Sequence, residues 1–373
     1  MENIFLCYNY LTLSKAMYYI DNKFKNDGNT IIFLQSVVLF PDAVAKEYNV
    51  FCYDSFFNIN KQNNDKHFKK LKNLYILKKK NRMYNNYIRF VYKVVEDKAA
   101  CSDCTIFVFS DNGSTEFILS KVFDLTLRID HKIKCVLIEE GLALYSCTYN
   151  TDKSFKYYIK RLLGLSDCII NPVIMGMNKY ISEVWCSDPE KFKLKRNDIK
   201  VIKEDDVFTP EHSKKIMRLF AQNDNIRLPD DVKYVFLTQP YDFTNEMFKK
   251  FKHIMTILTA KGKVLIKKHP RDKFNYNQLQ NDNIIISSDE LQKIPFECIY
   301  RSLEDVTLLT YYSSAAIIKN SKRKPIFLYK LFCSPEEIDR INNFEINWRN
   351  ISVCDTFEDL NNLIFGGNTN ELH

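Results

Sequence analysis

Short apolar runs alternate with longer amphipathic segments along the first half of this chain. The apolar run 4–8, for example, is followed over 13–24 by a pattern that is typical of a helix. Apolar runs of this kind, separated by helical patterns, favour βαβ units in a parallel sheet. Further strands are predicted at 30–34, 105–109 and 134–138, and Ser114 is predicted to cap a second helix.

The same alternation resumes in the second half, after a stretch of different character. Residues 185–229 are charged, contain Pro189, Pro210 and Pro229, and hold one short amphipathic pattern over 211–220. Charged residues and prolines without a long apolar run are typical of connections, so we predict a link between two domains here. Beyond it, strands are predicted at 234–237, 264–267, 284–286, 306–310 and 326–329, and a helix over 245–260.

The chain has 373 residues, which exceeds the usual size of one hydrophobic core. The length and the two series together predict an α/β protein with two Rossmann-like domains, over 1–205 and 206–373, and a cleft between them. Hydrophobic residues make up 46% and charged residues 27% of the chain. This composition favours a folded globule over a disordered or fibrous protein.

Several features favour a cytoplasmic protein. No apolar run approaches the ~20 residues that a membrane-spanning helix needs, and no basic segment precedes the short apolar stretch at the start. The 11 cysteines are scattered and odd in number, which is typical of reduced thiols. Cys101 and Cys104 form one close pair, but this is half a zinc site at most, and structural thiols explain it more simply.

The net charge of +8 is partly carried in clusters of basic residues. Such clusters are usually solvated surfaces; the functional alternatives are contact with an anionic membrane surface, an anionic substrate or nucleic acid. No nucleic-acid-binding motif accompanies the clusters, so nucleic acid is the least favoured partner. The clusters lie at 66–82, 191–200 and 319–324.

Polar residues that directly follow the predicted strands mark the candidate chemistry, because parallel α/β sheets bind ligands beyond the carboxyl ends of their strands. Glu139, Glu140 and Gly141 follow the strand 134–138. Gly141 lets the backbone turn sharply, so that the first carboxylate projects and is suited to act as a general base. A solvated turn with two surface acids is the alternative interpretation.

A second candidate lies at the end of the strand 264–267, where Lys267, Lys268, His269, Pro270 and Arg271 follow one another. Of the six histidines, only His269 is predicted at the carboxyl end of a strand. An imidazole that is stiffened by the following proline and flanked by cations is well placed against a phosphate. Because histidine titrates near neutral pH, it could donate a proton to a departing phosphate oxygen.

A third candidate is Ser313-Ser314, between the strand 306–310 and a helix predicted to start at Ala315. Hydroxyls and free backbone N–H groups at a helix N-terminus form an anion site without a metal, although a simple N-cap has the same pattern. The chain lacks a glycine-rich phosphate loop, an Asp-x-Asp pair and a Gly-x-Ser-x-Gly motif. The motifs present therefore favour metal-independent displacement of a phosphate leaving group.

In order and spacing, these three motifs resemble those of bacterial sialyltransferases that serve lipooligosaccharide, capsule and O-antigen synthesis. Those enzymes carry an acidic-acidic-Gly triplet, a His-Pro pair and a Ser-Ser or Ser-Thr pair. The resemblance implies a GT-B fold, in which two Rossmann-like domains face each other across the active-site cleft. It also implies CMP-sialic acid as the donor, inversion at the anomeric carbon, and no requirement for a metal or another cofactor.

The resemblance further implies roles for single residues. Glu139 matches the general base that deprotonates the acceptor hydroxyl, and His269 matches the acid that protonates or hydrogen-bonds the departing CMP phosphate. Ser313 and Ser314 match the pair that binds this phosphate. Many relatives have Asp at the first acidic position, which leaves open whether Glu139 or Glu140 is the base; we favour Glu139. The other substrate-binding candidates are Glu140, Gly141, Thr238, Gln239, Lys267, Pro270 and Glu297, the last on the ribose hydroxyls.

The leading prediction is therefore a sialyltransferase that acts on a terminal sugar, most often galactose in this family, of an oligosaccharide or lipid-linked surface glycan. A polysialyltransferase, or a transferase for another nucleotide-sugar, is the alternative among enzymes; the basic cluster 66–82 suits an anionic polymer. A non-catalytic scaffold that uses the basic clusters is the alternative outside enzymes. A peripheral contact of 66–82 with the inner face of the cell membrane and a homodimer both stay open.

Overall fold

The computed structural model describes residues 1–35, 38–54, 82, 85–111, 114–126, 128–145, 175–221, 231–240, 243–300, 303, 305–317, 323–342 and 350–366. The chain divides into two compact units, Met1–Val207 and Phe208–His373, where the sequence predicted domains over 1–205 and 206–373. Each unit is built around a parallel sheet. None of the described helices has the length and apolar character needed to cross a bilayer.

The sheet of the first unit is parallel between every pair of neighbouring strands, in the order β3-β2-β1-β4-β5-β6-β7. Its inner strands are apolar along their length because they are buried; β4, for example, is buried at all of its positions. The described strands are β1 (Glu2–Cys7), β2 (Gly28–Gln35), β3 (Val50–Asp54), β4 (Cys104–Val108), β5 (Ile133–Ile138), β6 (Glu183–Cys186) and β7 (Lys200–Lys203).

The first helix begins at Tyr10, three residues before the predicted start, because Asn9 caps it. The Asn9 side chain accepts a hydrogen bond from the backbone N–H of Thr12 at 2.9 Å, and the Thr12 hydroxyl accepts one from the Asn9 N–H at 3.3 Å. The predicted helix at Ser114 is also present. The described helices of this unit are α1 (Tyr10–Asn22), α2 (85–99), α3 (Ser114–Thr126) and α4 (Pro189–Lys195), with short 3-10 helices at Asp42–Lys46 and Leu142–Tyr145.

The prediction that 185–229 connects two domains is wrong for its first part. There the strands β6 and β7, with α4 between them, complete the sheet of the first unit. These strands have only four residues each and include charged ones, so they form no apolar run. Glu183 is tolerated in a buried position because the Nζ atoms of Lys134 and Lys200 lie 2.5 and 3.4 Å from its carboxylate.

The sheet of the second unit is also parallel, in the order β10-β9-β8-β11-β12-β13. Its described strands are β8 (Val232–Leu237), β9 (Lys263–Lys267), β10 (Ile284–Ile286), β11 (Thr307–Thr310), β12 (Ile326–Phe327) and β13 (Ser352–Val353). Its described helices are α5 (Pro210–Ala221), α6 (Asn245–Thr259), α7 (Asp289–Lys293), α8 (Phe296–Tyr300), α9 (Tyr329–Phe332), α10 (Pro335–Asn342) and α11 (Phe357–Phe365), with 3-10 helices at Asn277–Leu279 and Ser314–Ala316.

The strand order of each sheet decides which candidate residues become neighbours. In the first unit β5 lies beside β6, so the residues that follow these two strands meet at one edge. In the second unit β9, β8 and β11 are consecutive, so the segments that begin at Thr238, Lys268 and Tyr311 leave the sheet side by side. This placement is the one that ligand sites of parallel sheets use.

Candidate active site

Glu139 directly follows β5, and its carboxylate accepts hydrogen bonds from three donors. Ser187, which directly follows β6, donates its backbone N–H to Oε2 at 2.6 Å and its hydroxyl to Oε1 at 3.1 Å. Tyr145 donates its phenol hydroxyl to Oε2 at 2.6 Å. The backbone N–H of Glu139 continues the sheet by bonding the carbonyl of Trp185 at 2.9 Å. The carboxylate is thus held in one direction, which a general base requires.

The donor role of Tyr145 is secured by its surroundings. Burial, and then the negative charge of Glu139, raise the pKa of the Tyr145 phenol well above its ordinary value. At neutral pH the phenol therefore stays protonated and donates. Gly141 begins the turn that brings Tyr145 back to Glu139, since its carbonyl accepts the N–H of Leu144 at 3.2 Å.

Glu140 has a different set of partners from Glu139. Its carboxylate accepts hydrogen bonds from the hydroxyl of Tyr8 and from the side-chain amide of Asn9, the latter at 2.6 Å. Asn9 is also the N-cap of α1. Glu140 therefore ties the segment between β1 and α1 to the end of β5, and the two adjacent carboxylates have separate structural tasks.

His269 lies in the segment after β9 and is held by two backbone contacts. Its N–H donates to the hydroxyl of Thr238 at 3.0 Å, and its Nδ1 accepts the N–H of Arg271 at 3.1 Å. A ring nitrogen that accepts a hydrogen bond carries no proton, so the proton of the neutral imidazole is on Nε2. Within the part of the chain that the structure describes, Nε2 makes no hydrogen bond, which leaves this N–H for a ligand.

The charge state of His269 differs from the one expected from the sequence. Burial, and then the positive charges of Arg271 and Lys267, lower the pKa of the His269 imidazole to about 4. The expectation of a group that titrates near neutral pH is therefore wrong for the unliganded protein. A phosphate beside the ring would raise this pKa again, because an opposite charge favours the imidazolium form.

Lys267, the last residue of β9, is buried rather than exposed to a ligand. Burial lowers its pKa to about 7, and the negative charge of Glu297 opposes this shift. Its Nζ donates to the carbonyl of Gln292 at 3.3 Å. Glu297 lies in the first turn of α8 and is partly exposed. Its negative charge attracts the ammonium group of Lys267, the residue two positions before His269.

Thr238 is 2% exposed, and its hydroxyl is occupied by the N–H of His269. Its backbone N–H donates to the carbonyl of Lys267 at 3.1 Å. Thr238 therefore orients the His269 segment from the neighbouring strand end. Gln239 is partly exposed and Pro270 is exposed, so both have surface to offer a ligand.

Ser313 and Ser314 follow β11, but the helix predicted from Ala315 onward is a 3-10 turn over Ser314–Ala316. The backbone N–H of Ser313 donates to the Thr310 hydroxyl at 3.1 Å, and the Ser313 hydroxyl accepts the N–H of Ala315 at 3.3 Å. Among the described residues, the Ser314 hydroxyl has no hydrogen-bond partner. A turn of three residues adds little macrodipole, so hydroxyls rather than helix N–H groups are the available donors.

Only parts of the three basic clusters lie within the described residues. The cluster 66–82 lies outside the described residues apart from Arg82. In the cluster 191–200, Lys195 bonds the carbonyls of Leu144 and Met175, and Arg196 bonds Asp198, so both side chains serve the fold. Lys319 and Lys322 of the third cluster are likewise outside the described residues, and Arg323 pairs with Asp305.

A groove of about 320 Å³ lies on the first unit at the amino ends of β5, β6 and β7. Phe123, Tyr180 and Lys179 line it, with Arg196, whose guanidinium already bonds Asp198 and two backbone carbonyls. Glu139 lies at the carboxyl end of β5, so this groove is not part of the candidate active site.

The described ranges were expected to contain neither a cluster of metal ligands nor a reactive pair of thiols. No group of three or more His, Cys, Asp or Glu side chains there is arranged to hold a metal ion. Cys101 and Cys104 are both free thiols, the first exposed and the second buried. Burial raises the pKa of Cys104 to about 11, which keeps it protonated and unreactive.

Sequence reasoning missed most of the residues that hold Glu139 and Glu140. Tyr8 and Asn9 directly follow β1, so the rule that identified Glu139 applies to them as well. Ser187 follows β6, which was not predicted, and Tyr145 lies in the turn after Gly141. Ser187 could be found only once the neighbour of β5 was known, and Tyr145 only once the path of the turn after Gly141 was known.

Comparison with known proteins identifies one family and one fold. The sequence model of the alpha-2,8-polysialyltransferase family matches residues 3–322. No curated protein sequence matches this chain. Among solved structures, the GT-B domain of a sialyltransferase from Photobacterium damselae superposes with a TM-score of 0.50 at 14% identity, over 94% of this chain and 99% of that one.

A second solved structure, Arabidopsis thaliana UGT89C1 in complex with UDP-L-rhamnose, superposes with a TM-score of 0.51 at 9% identity, over 97% of this chain and 89% of that one. At such low identities these similarities show the fold alone. The predicted fold class, α/β with GT-B architecture, is confirmed.

Proposed function

Because this chain belongs to the alpha-2,8-polysialyltransferase family, we propose that it transfers sialic acid from CMP-sialic acid to a bacterial surface glycan, with inversion and without a metal. The acceptor that the family match favours is a glycan that ends in sialic acid. Terminal galactose, predicted from the sequence motifs, is the second candidate. The observation that carries the proposal is a carboxylate, Glu139, that three donors hold at the end of a parallel strand.

In the proposed reaction, Glu139 takes the proton of the acceptor hydroxyl as that oxygen attacks the anomeric carbon of sialic acid. The bond between this carbon and the CMP phosphate oxygen breaks, and its electron pair leaves with CMP. Attack from the side opposite the leaving group inverts the anomeric centre. Fixing the carboxylate in advance spares the reorientation that a mobile base would need in the transition state.

The residues of the second unit supply donors and positive charge for the departing phosphate. We assign the Nε2–H of His269 and the hydroxyl of Ser314 as hydrogen-bond donors to it. Lys268 and Arg271 flank His269 and add positive charge near the same strand end. Glu297 is proposed to accept hydrogen bonds from the ribose hydroxyls. A single phosphate needs less charge compensation than a diphosphate, so these groups can act without a divalent ion.

Purified full-length protein, incubated with CMP-sialic acid and labelled acceptors, tests the proposal by mass spectrometry. One acceptor ends in α2,8-linked sialic acid and the other in galactose, and the Glu139→Gln variant is the matched control. We expect sialic acid to be added to the first acceptor, equally with and without EDTA. Addition only to the galactose-terminated glycan would make galactose, rather than sialic acid, the acceptor. Loss of activity in EDTA would refute metal independence. No transfer to either acceptor would refute the proposed function.

A further inference from the structure

A buried lysine lies directly behind the candidate base. Lys15, in the middle of α1, has a side chain that is only 9% exposed. Its Nζ donates to the backbone carbonyl of Glu139 and lies 2.7 Å from Oε1 of Glu204, whose side chain is 7% exposed. Tyr19, one turn further along α1, donates its hydroxyl to the same Glu204 oxygen at 3.2 Å. Lys15, Tyr19 and Glu204 all lie outside the three sequence motifs.

Lys15 joins the ends of β5 and β7, the two strands on either side of β6. Glu204 directly follows β7, and its N–H donates to the carbonyl of Cys186 on β6 at 2.8 Å. Glu139 directly follows β5, and its N–H donates to Trp185 on β6 at 2.9 Å. Lys15 bonds both segments from the helix side. The peptide of Glu139 is therefore held by the sheet through its N–H and by Lys15 through its carbonyl.

A buried ion pair is costly to desolvate and is a weak source of stability, so its presence here calls for another explanation. Lys15 bonds the carboxylate of Glu204 and the backbone carbonyl of Glu139. Burial and the charge of Glu139 raise the pKa of Glu204, while the charge of Lys15 lowers it. The ion pair therefore fixes the peptide that carries the candidate base.

We propose that Lys15 is a positioning residue for the general base: it orients the Glu139 peptide from the helix side, while Glu204 holds Lys15 in place. This inference rests on the proposed function only in taking Glu139 as the base.

The other charged or titratable groups near Glu139 do not duplicate this role. Glu140 is acidic, and Tyr145 and Cys186 are kept protonated because burial raises the pKa of each, that of Cys186 to about 12. Asp188 is exposed and caps α4, and the Nζ of Lys191 lies 5.5 Å from the centre of the Tyr145 ring. Lys15 is the cation that directly bonds Glu139 within the described residues.

Three variants of the full chain test the proposal through kcat and KM. In Lys15→Met/Glu204→Gln both charges are removed, so that no unpaired buried charge destabilises the fold. We expect kcat at neutral pH to fall roughly ten- to a hundredfold with little change in KM for the donor, because the base is less well oriented while donor binding is untouched.

Glu204→Gln alone is expected to lower kcat less than the double variant, because Lys15 can still reach the Glu139 carbonyl. Lys15→Arg keeps a cationic donor at this place and is expected to keep most of the wild-type kcat. Circular dichroism melts verify that each variant folds. A folded double variant with wild-type kcat would overturn the role of Lys15 while Glu139→Gln stays inactive; an active Glu139→Gln instead overturns the assignment of the base, and with it the premise.

Discussion

The two units use the same architecture in different ways. In the first unit, every oxygen of the Glu139 carboxylate is already engaged by Ser187 or Tyr145. In the second unit, the Nε2–H of His269 and the hydroxyl of Ser314 have no partner among the described residues. A base must be held in one direction before the substrate arrives, whereas an anion site must keep its donors for the ligand. On the proposed function, this difference is the one expected between a unit that supplies the base and a unit that binds the phosphate.

The buried lysines of the two units show the same contrast. Lys15 lies 2.7 Å from a buried carboxylate oxygen and so belongs to a complete ion pair. Lys267 contacts a carbonyl at 3.3 Å, and its pKa falls to about 7 because burial outweighs the charge of Glu297. Lys15 is thus compensated by Glu204 of its own unit, whereas the charge of Glu297 does not offset the burial of Lys267.

The largest expected effect comes from removing the base. Glu139→Gln keeps the size and part of the hydrogen bonding of the side chain but cannot accept a proton, so transfer should fall by roughly 10³-fold. CMP binding, measured by calorimetry, should stay near wild type because the phosphate donors lie in the other unit. Glu140→Gln is the matched control. A larger loss in Glu140→Gln than in Glu139→Gln would reverse the assignment of the base.

His269→Ala should have the next largest effect. Loss of the Nε2–H donor is expected to lower kcat by roughly 10²-fold. Because the pKa of His269 is lowered to about 4, the ring should be neutral with its proton on Nε2 at pH 6 in the free protein. Histidine ¹⁵N NMR checks this tautomer. A titration midpoint near 6.5 would show that burial does not control the ring.

The two serines should differ in kind. Ser314→Ala removes a hydroxyl without a described partner, and we expect it to weaken CMP binding by roughly five- to tenfold, the value of about one hydrogen bond. Ser313→Ala removes an acceptor for the N–H of Ala315, so it should lower thermal stability more than binding. Calorimetry with CMP and thermal melts separate the two. The reverse pattern would exchange their roles.

Lys267→Met should have the smallest effect on transfer, because this side chain is buried, and its expected effect is on stability. The folded pKa of Lys267, about 7, lies below the unfolded value, so the folded state binds fewer protons between about pH 7 and 10.4. Wild-type stability should therefore rise with pH across this window. Lys267→Met should remove that rise and raise the melting temperature most at or below pH 7.

Lys249→Met, at an exposed position of α6, is the control for this pH series and should leave the wild-type dependence intact. Equal pH dependence in Lys267→Met and the wild type would show that Lys267 is charged and solvated in the folded protein. Scanning calorimetry across pH 6 to 10 measures the melting temperatures of both variants and of the wild type.

The site was predictable to the extent that it depends on strand ends. Glu139, His269 and Ser313 were identified because each follows an apolar run, and the runs were visible. Lys15 was not identifiable, since a lysine within an amphipathic helix normally faces solvent. Glu204 was missed for a related reason: it follows β7, a strand too short and too charged to form an apolar run.

The sequence by itself determined that parallel strands alternate with helices, and which polar residues follow each strand, because hydrophobic periodicity is a local property of the chain. Only the tertiary structure decided which strand ends are neighbours, and hence that Ser187 and Lys15 hold Glu139 and that Thr238 holds His269. Strand order depends on hydrogen bonds and packing between segments far apart in the chain, and many orders are compatible with one local pattern.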